Sequence, residues 1–371
     1  MPLPHWLPSR RLLFRAAALY IAGRGFLAWR EHARDPTPSA QTIYCKGDAQ
    51  TSRIVSECAS LHTPSFLPFL PFCNTWFNLV VFMLKNKIAQ RLCIVPLRRQ
   101  CVDRPDGGRV AIDWSDDEVT RQLPRDAPIV CILHTVTGSA ETNLPFLRYC
   151  ASKGWRGCVF ARRGHTVPLR TPTFNVMGDA DDTAAQARLV REAFPECAFM
   201  GMVGVSAGSG LLVTYLGKEG DRTPVDAACS LCPAYDINTA FSRLYEQYPI
   251  VDRDILKSMK TLWLRDQPAM LLREEDKAAR GLPGARSLEE LEGLRRSYRA
   301  CLGAESVDAF VRESALFSDC PDAEAYFEVC GWVWVGGLGG GGGDRPYVLD
   351  YGTTTVRGQV ELRCVLYLCV C

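Results

Sequence analysis

The chain has 371 residues, of which 47% are apolar and 23% are charged, a composition typical of globular proteins. This length is enough for one large α/β domain with additions or for two smaller domains. Its 43 basic and 41 acidic residues leave a formal net charge of +2, so nothing favours a nucleic acid as partner. The 17 cysteines are scattered, odd in number and without matched CxxC pairs. They predict a reduced intracellular protein rather than a disulfide scaffold or a zinc site. No cofactor and no metal are predicted.

The first 30 residues contain five arginines and no acidic residue, with apolar side chains between the arginines. Arg15 and Arg24 interrupt the apolar run, which argues against a bilayer span. The pattern predicts a basic amphipathic helix, either an organelle-targeting leader or an anchor on a membrane surface. An ordinary N-terminal helix is the equal alternative. With the polar linker that follows, residues 1–40 form the first predicted segment.

Residues 41–125 are predicted to form a strap and a β-hairpin. Residues 63–84 are uncharged, but three prolines break the first half of this stretch. An apolar strap packed on the main domain is therefore favoured over a membrane segment. Further on, Asp106-Gly107-Gly108 predicts the turn of the hairpin. The residues that alternate onto one face of its second strand are Val110, Ile112 and Trp114.

Residues 126–330 alternate between short apolar runs and helical patterns, which predicts a mostly parallel sheet flanked by helices. Residues 238–300 are charged, helical in pattern and without an obvious strand, and they predict a lid over the strand ends. The predicted strands are 128–133, 157–161, the run that leads into residue 204, and 227–231, with helices at 143–153 and 179–194.

A serine stands at the apex of a strand–turn–helix segment, CAFMGMVGVSAGSGLLVTYLGKEG, at residues 197–220. Gly204 and Gly208 are needed there because a Cβ at either position would collide with the neighbouring strand or helix. The pattern predicts a nucleophile elbow, with Ser206 as nucleophile and the Ala207 amide directed at an oxyanion. A glycine-rich phosphate loop is the competing interpretation, but the Lys-Ser/Thr pair and the GxGxxG register are missing.

Further motifs surround the elbow in a fixed order. They are Gln41-Thr42-Ile43, Asp106-Gly107-Gly108 with Asp113-Trp114, His134-Thr135-Val136-Thr137-Gly138, Arg162-Arg163-Gly164, Tyr215-Leu216-Gly217-Lys218-Glu219-Gly220 and Pro233-Ala234-Tyr235-Asp236. Together they resemble the AB hydrolase 4 family over roughly residues 40–330. The resemblance implies an α/β-hydrolase fold with a mostly parallel central sheet and a helical lid. It also implies hydrolysis of acyl esters (monoacylglycerols or short- and medium-chain lipid esters), or acyl transfer to alcohols.

The same resemblance assigns roles to single residues. Ser206 matches the nucleophile, and the loop after residue 133 matches the oxyanion loop. Val136 and Ala207 are the expected amide donors of the oxyanion hole. Thr135 departs from the family's glycine, while His134 matches a loop-positioning histidine. His165 is expected to be structural.

No histidine follows the serine, although the family's order is serine, acid, histidine. The five histidines are His5, His32, His62, His134 and His165. The acid and the base of a triad therefore stay unassigned. Three interpretations are open: a serine hydrolase with impaired or no turnover, a catalytically inactive scaffold that binds a lipid or protein partner, and an enzyme with His134 or His165 as a displaced base.

Residues 331–371 contain a run of glycines of the kind found in linkers and end in CVLYLCVC. We expect the family's final strands to be missing or replaced in this tail. The hypothesis is that a retained intron, a frameshift or an alternative exon encodes it. Tyr347-Val348-Leu349-Asp350 imitates a strand followed by an acid, and a chance match is the favoured explanation.

Overall fold

A computed structural model describes residues 91–232, 236–330 and 365–368, one helix before them, and isolated positions between residues 15 and 30 and between 80 and 88. The chain divides into two units, Met1–Leu92 and Cys93–Cys371. The described residues of the first unit are helical, and its helix α1 spans Ala49–Glu57. Most of the predicted strap, the motif at residues 41–43 and the motif at residues 233–235 lie outside the described residues. No helix in the described part of the chain has the length and apolar character that crossing a lipid bilayer requires.

The second unit contains a seven-stranded sheet in the order β1-β2-β4-β3-β5-β6-β7. Its strands are β1 (Leu97–Asp103), β2 (Arg109–Ser115), β3 (Ile129–Leu133), β4 (Arg156–Ala161), β5 (Met200–Val205), β6 (Ala227–Leu231) and β7 (Val365–Leu368). The first two strands form the predicted hairpin, and β2 is antiparallel to β4. All other neighbouring strands are parallel. The central strands β3 and β4 are buried along their whole length, which explains why they are almost continuously apolar in sequence.

Helices cover both faces of the sheet. A short helix, α2, spans Glu118–Arg121, and α3 (Leu144–Ser152) packs on one face, where its Leu147 shares a buried cluster with Ile132 of β3. The other face carries α4 (Ala180–Ala193) and α5 (Ala207–Glu219), whose side chains share a cluster with Cys131 and Leu133. Side chains of β3 thus alternate between two apolar layers, as period-two strand geometry requires.

Six helices after β6 form a cap with its own apolar core. They are α6 (Ile237–Gln247), α7 (Pro249–Trp263), α8 (Gln267–Ala279), α9 (Leu288–Gly303), α10 (Val307–Glu313) and α11 (Ala323–Cys330). The predicted helical segment at residues 238–300 is helical, and the cap continues beyond it. Its core contains Trp263, which stacks on Phe174 with ring centroids 5.3 Å apart. Val136 and Ala207 belong to the same buried cluster, so the cap core covers the strand ends that carry them.

The tail contributes one described strand, β7, which pairs in parallel with β6 from Ala228↔Val365 to Leu231↔Leu368. The final strands were expected to be missing or replaced, and a four-residue segment of the divergent tail takes this edge position. Its sequence, Val-Leu-Tyr-Leu, is rich in residues that favour strands. Residues 331–364, which include the glycine run and Asp350, lie outside the described residues. The predicted segment boundaries at residues 40, 125 and 330 stay predictions.

Candidate active site

The candidate site lies where the strand order of the sheet reverses direction. From β3 the chain crosses to β4 on one side, and β5 then pairs with β3 on the other side, with Leu133 opposite Gly204. In open α/β sheets the loops that leave such a pair of strands separate and form a crevice at their carboxyl ends. The loop after β3 begins at His134, and the turn after β5 is Ser206. The two candidate motifs are therefore brought together by the topology.

Ser206 has the strained backbone of a nucleophile elbow, with φ 54° and ψ −118°. A positive φ is uncommon for a residue with a Cβ and persists only where surrounding structure enforces it. Here the Ser206 amide donates to the Leu231 carbonyl of β6 at 3.0 Å, while the Ser206 carbonyl accepts from the Ser209 amide at 2.9 Å. The serine is half-buried between sheet and cap.

Two glycines beside the serine allow this close packing. A Cβ on Gly204 would lie 2.4 Å from the Gly208 carbonyl oxygen, and a Cβ on Gly208 would lie 2.1 Å from the Leu133 carbonyl oxygen. Both contacts are with backbone, which cannot move aside as the end of a side chain can. The geometry therefore explains why glycine occupies both positions, as the sequence predicted. It also places the first turn of α5 directly against the end of β3.

The expected oxyanion donors lie at the two elements that meet here. Ala207 is the first residue of α5, so its amide has no carbonyl partner within the helix and points out from the positive end of the helix dipole. Val136 lies in the loop after β3, and both residues are buried in one cluster. Their role as the pair of amide donors remains a prediction.

Arg162, the first residue after β4, is a buried cation that contacts residues 134–138, the predicted oxyanion loop. Its Nη2 donates to the His134 carbonyl at 3.0 Å and makes a short hydrogen bond to the Thr135 carbonyl. Its backbone amide lies 3.4 Å from His134 Nε2, and His134 Nδ1 lies 2.8 Å from the Thr135 carbonyl. His134 Nδ1 also lies 3.1 Å from Arg162 Nη2, which can only donate, so the two contacts of Nδ1 favour opposite tautomers of the neutral ring.

Neither described histidine hydrogen-bonds to Ser206. His134 uses both ring nitrogens within the Arg162 network, and His165 has Nε2 2.9 Å from the Val136 carbonyl and Nδ1 3.2 Å from the Arg163 carbonyl. Burial, the positive charge of Arg162 and the neighbouring His165 hold the pKa of His134 well below its usual value. Burial and the same charge lower the pKa of His165 to about 3. Both rings support the loop, and the geometry gives no support to a displaced base.

The depressed histidine pKa values predict a pH dependence of stability. Below pH 6.5 the unfolded chain binds protons that the folded chain excludes, so stability is complete above that pH and is lost as the pH falls toward 3. Between pH 7.5 and 5.5 we expect His165 alone to lower the free energy of unfolding by about 1.4 kcal/mol. Urea unfolding at the two pH values measures this loss. The His165→Gln variant should show a smaller loss, and equal losses in both proteins would contradict the assignment.

The strand order, the antiparallel β2 and the strained serine turn after β5 define an α/β-hydrolase fold. No family model matches the chain. It is similar to the phospholipase ABHD3 of Bos taurus, with 31% identity over 190 residues, which are 50% of this chain and 45% of that protein. It is also similar to the monoacylglycerol lipase of Saccharomyces cerevisiae, with 28% identity over 160 residues, which are 40% of this chain and 35% of that protein.

These relatives are AB hydrolase 4 proteins, similar to this chain at about 30% identity over about half of its length, which confirms the resemblance predicted from its motifs. The chain spans between 33% and 54% of the length of the curated relatives it matches. Among solved structures, the esterase Pf2001 of Pyrococcus furiosus matches with a TM-score of 0.34 and 16% identity, over 45% of this chain and 68% of that chain.

The structure brings together Ser206, Gly204, Gly208, Ala207 and Val136, all predicted from sequence. It adds Arg162, which the sequence analysis treated only as part of a motif. The available signal was a pair of arginines directly after the apolar run at residues 157–161. No triad acid or base is assigned among the described residues.

Proposed function

We propose that this chain is a serine hydrolase of acyl esters whose nucleophile is Ser206 and whose turnover is slow because no general base among the described residues reaches the serine. The observation that carries the proposal is the elbow, where Ser206 is held at φ 54° between two glycines that the backbone packing requires. The relatives named as a phospholipase and a monoacylglycerol lipase support acyl esters of lipid type as substrates. We propose monoacylglycerols or short- and medium-chain lipid esters within that class.

The reaction would begin with attack of Ser206 Oγ on the ester carbonyl carbon. A C–O bond forms, the carbonyl electron pair moves to its oxygen, and the Val136 and Ala207 amides donate to that oxyanion. Collapse of the intermediate releases the alcohol and leaves an acyl-serine, which water then hydrolyses. The serine proton passes to water, since no imidazole in the described structure accepts it.

The rate of acylation should be low because no general base in the described structure activates Ser206. A serine hydroxyl is a weak nucleophile unless an adjacent base removes its proton. Loss of the histidine base from a triad lowers kcat on the order of 10⁶-fold, while the oxyanion hole and substrate binding keep an acceleration on the order of 10³-fold over water. We therefore expect measurable but slow acylation rather than a complete loss of chemistry.

Acylation by p-nitrophenyl butyrate tests the proposal, because p-nitrophenolate leaves without needing a proton from the enzyme. We expect a slow release of p-nitrophenolate above the buffer rate, with stable butyryl-serine accumulating. The Ser206→Ala variant, at the same concentration of folded protein, should release it at the buffer rate. Equal release by both proteins would overturn the role of Ser206.

A second candidate is a non-catalytic scaffold that binds a lipid or protein partner without turning it over. Its support is that the ring nitrogens of His134 and His165 bond to groups other than Ser206, and that no histidine follows Ser206 in the sequence. Retained binding of a monoacylglycerol without any acyl-serine would favour the scaffold.

With either function, residues 1–30 are proposed as a contact to a membrane surface, since their five arginines would meet anionic headgroups.

A further inference from the structure

Arg162 joins two loops that flank the candidate site. Its Nη1 donates to the Val176 and Met177 carbonyls at 3.3 and 3.2 Å, and its Nη2 donates to the His134 and Thr135 carbonyls. The side chain is 6% exposed. Within the described part of the chain no carboxylate pairs with it, and its Nε has no hydrogen-bond partner. Its Nη2 also lies 3.1 Å from His134 Nδ1. A buried arginine without an acidic partner is costly unless the contacts it makes are needed.

The second of these loops is itself anchored to the cap. Tyr326 of α11 accepts from the Met177 amide at 3.2 Å and donates to Asn175 Oδ1 at 2.9 Å. Asn175 Oδ1 also accepts from the Met177 amide at 2.9 Å. The Met177 amide shares a peptide unit with the Val176 carbonyl, so these bonds fix the direction of one of the two carbonyls that Arg162 Nη1 contacts. Arg162 is therefore held from the cap side by a rigid loop and acts on the oxyanion loop.

Within the loop after β3, the bonds from Arg162 act on the peptide unit that joins Thr135 to Val136. The Thr135 carbonyl and the Val136 amide belong to the same peptide unit, which is planar and trans, so the C=O and the N–H point in opposite directions. The Thr135 carbonyl accepts from Arg162 Nη2 and from the Gly138 amide at 3.0 Å. When these donors fix the carbonyl on one side, they fix the direction of the Val136 N–H on the other.

The residue at position 135 also influences the conformation of the loop. Thr135 carries a branched side chain that limits the backbone conformations open to it. The loop also packs tightly against itself, since a Cβ on Gly138 would lie 2.8 Å from Thr135 Oγ1. His165 adds a contact to the next carbonyl, that of Val136.

We propose that Arg162 is a positioning residue that orients the Val136 amide toward the oxyanion of the acyl-transfer intermediate. The proposal rests on the proposed function, because Val136 has this role only if Ser206 reacts with a carbonyl or phosphoryl centre. Arg162 does not touch the reacting atoms and acts through the Thr135–Val136 peptide.

The chain offers a matched control at the other end of the same strand. Arg156, at the start of β4, is also buried, and it donates to the carbonyls of Thr120, Leu123 and Pro124, each at 3.3 Å. It likewise has no acid partner among the described residues. The Arg156→Met and Arg162→Met variants therefore remove the same kind of buried cation, but only Arg162 lies at the carboxyl edge of the sheet.

The test is the rate at which an alkyl fluorophosphonate labels Ser206, measured per folded molecule over a range of probe concentrations. We expect Arg162→Met to lower the first-order rate at saturating probe about 10- to 100-fold, with the half-saturating concentration little changed. The labelling rate of Arg162→Lys should lie between those of wild type and Arg162→Met, because one ammonium group cannot hold both loops. Arg156→Met should lose stability but label at the wild-type rate. Equal labelling rates of Arg162→Met and wild type would overturn the proposal.

A second measurement separates this inference from the proposed function. If the wild-type chain is not labelled at all, the proposed function fails. Hydrogen exchange then decides whether Arg162 holds the loop at residues 134–138 in place. Amides in residues 134–138 should exchange at least 10-fold faster in Arg162→Met than in wild type, with no such change in Arg156→Met. Unchanged exchange in residues 134–138 would show that Arg162 does not hold this loop, whatever the chemistry of Ser206.

Discussion

Replacing Gly208 by alanine is expected to destabilise the protein by about 3 kcal/mol or more, at or above the upper end of the usual cost of overpacking, because the clash is with backbone. The new Cβ would lie 2.1 Å from the Leu133 carbonyl oxygen and 2.7 Å from the His134 carbonyl oxygen. Relief requires α5 to move away from β3, which would also separate Ser206 from the oxyanion loop. The free energy of unfolding in urea measures the effect.

The control is a helical glycine with space around it. A Cβ on Gly293, within α9, would lie 3.5 Å from Leu316 Cδ1, an ordinary van der Waals distance. Because alanine favours helices over glycine by about 1 kcal/mol, Gly293→Ala should be neutral or stabilising. A Gly208→Ala protein as stable as Gly293→Ala would show that the elbow does not pack against β3 as described.

The second large effect is expected at Asp182, the centre of a buried ion network. Asp182 accepts from Arg163 Nε at 2.6 Å, from Arg163 Nη2 at 2.9 Å and from Arg104 Nε at 2.8 Å. Its side chain is 7% exposed and that of Arg163 is 10% exposed. Arg163 also makes a short bond to Asp106 in the hairpin turn, so the network ties the hairpin to α4 and to the turn after β4. These carboxylates raise the pKa of Arg163.

Asp182→Asn should therefore cost about 3 to 5 kcal/mol, since it leaves a buried guanidinium without its main counter-charge. The comparison is Glu196→Gln, because the Arg125–Glu196 pair has a similar 2.8 Å distance but side chains that are 65% and 56% exposed. Breaking this exposed pair should cost less than about 1 kcal/mol. Urea unfolding of both variants at pH 7 measures the difference. Losses of equal size would contradict the burial of the network.

Much of the sheet could be predicted because its strands are short apolar runs bounded by turn residues. The strand at Ala227–Leu231 has its predicted limits, and the hairpin turns at the predicted Asp106-Gly107-Gly108. The elbow was also predictable, since the glycines on both sides of Ser206 are required by backbone contacts that every such turn makes. These features depend on local sequence, and local sequence was sufficient to find them.

The remaining features depend on partners that are distant in sequence. Arg162 bonds to four backbone carbonyls, and because every residue has a carbonyl, no side-chain pattern marks which ones it will contact. The pairing of Val365–Leu368 with β6 likewise depends on tertiary position, since other apolar tetrapeptides in the chain have similar strand character. No general base is identified among the described residues, because no histidine follows Ser206 in the sequence and both described histidines bond elsewhere.

The most direct test of the account is to identify where an alkyl fluorophosphonate attaches to the purified protein. In this reaction Ser206 Oγ forms a bond to phosphorus, fluoride leaves, and the serine proton goes to water. Intact-mass spectrometry followed by peptide mapping should show one adduct, on Ser206, that forms over hours and is missing from Ser206→Ala. A folded protein that gains no adduct, or gains it at another residue, would contradict the assignment of Ser206 as a nucleophile.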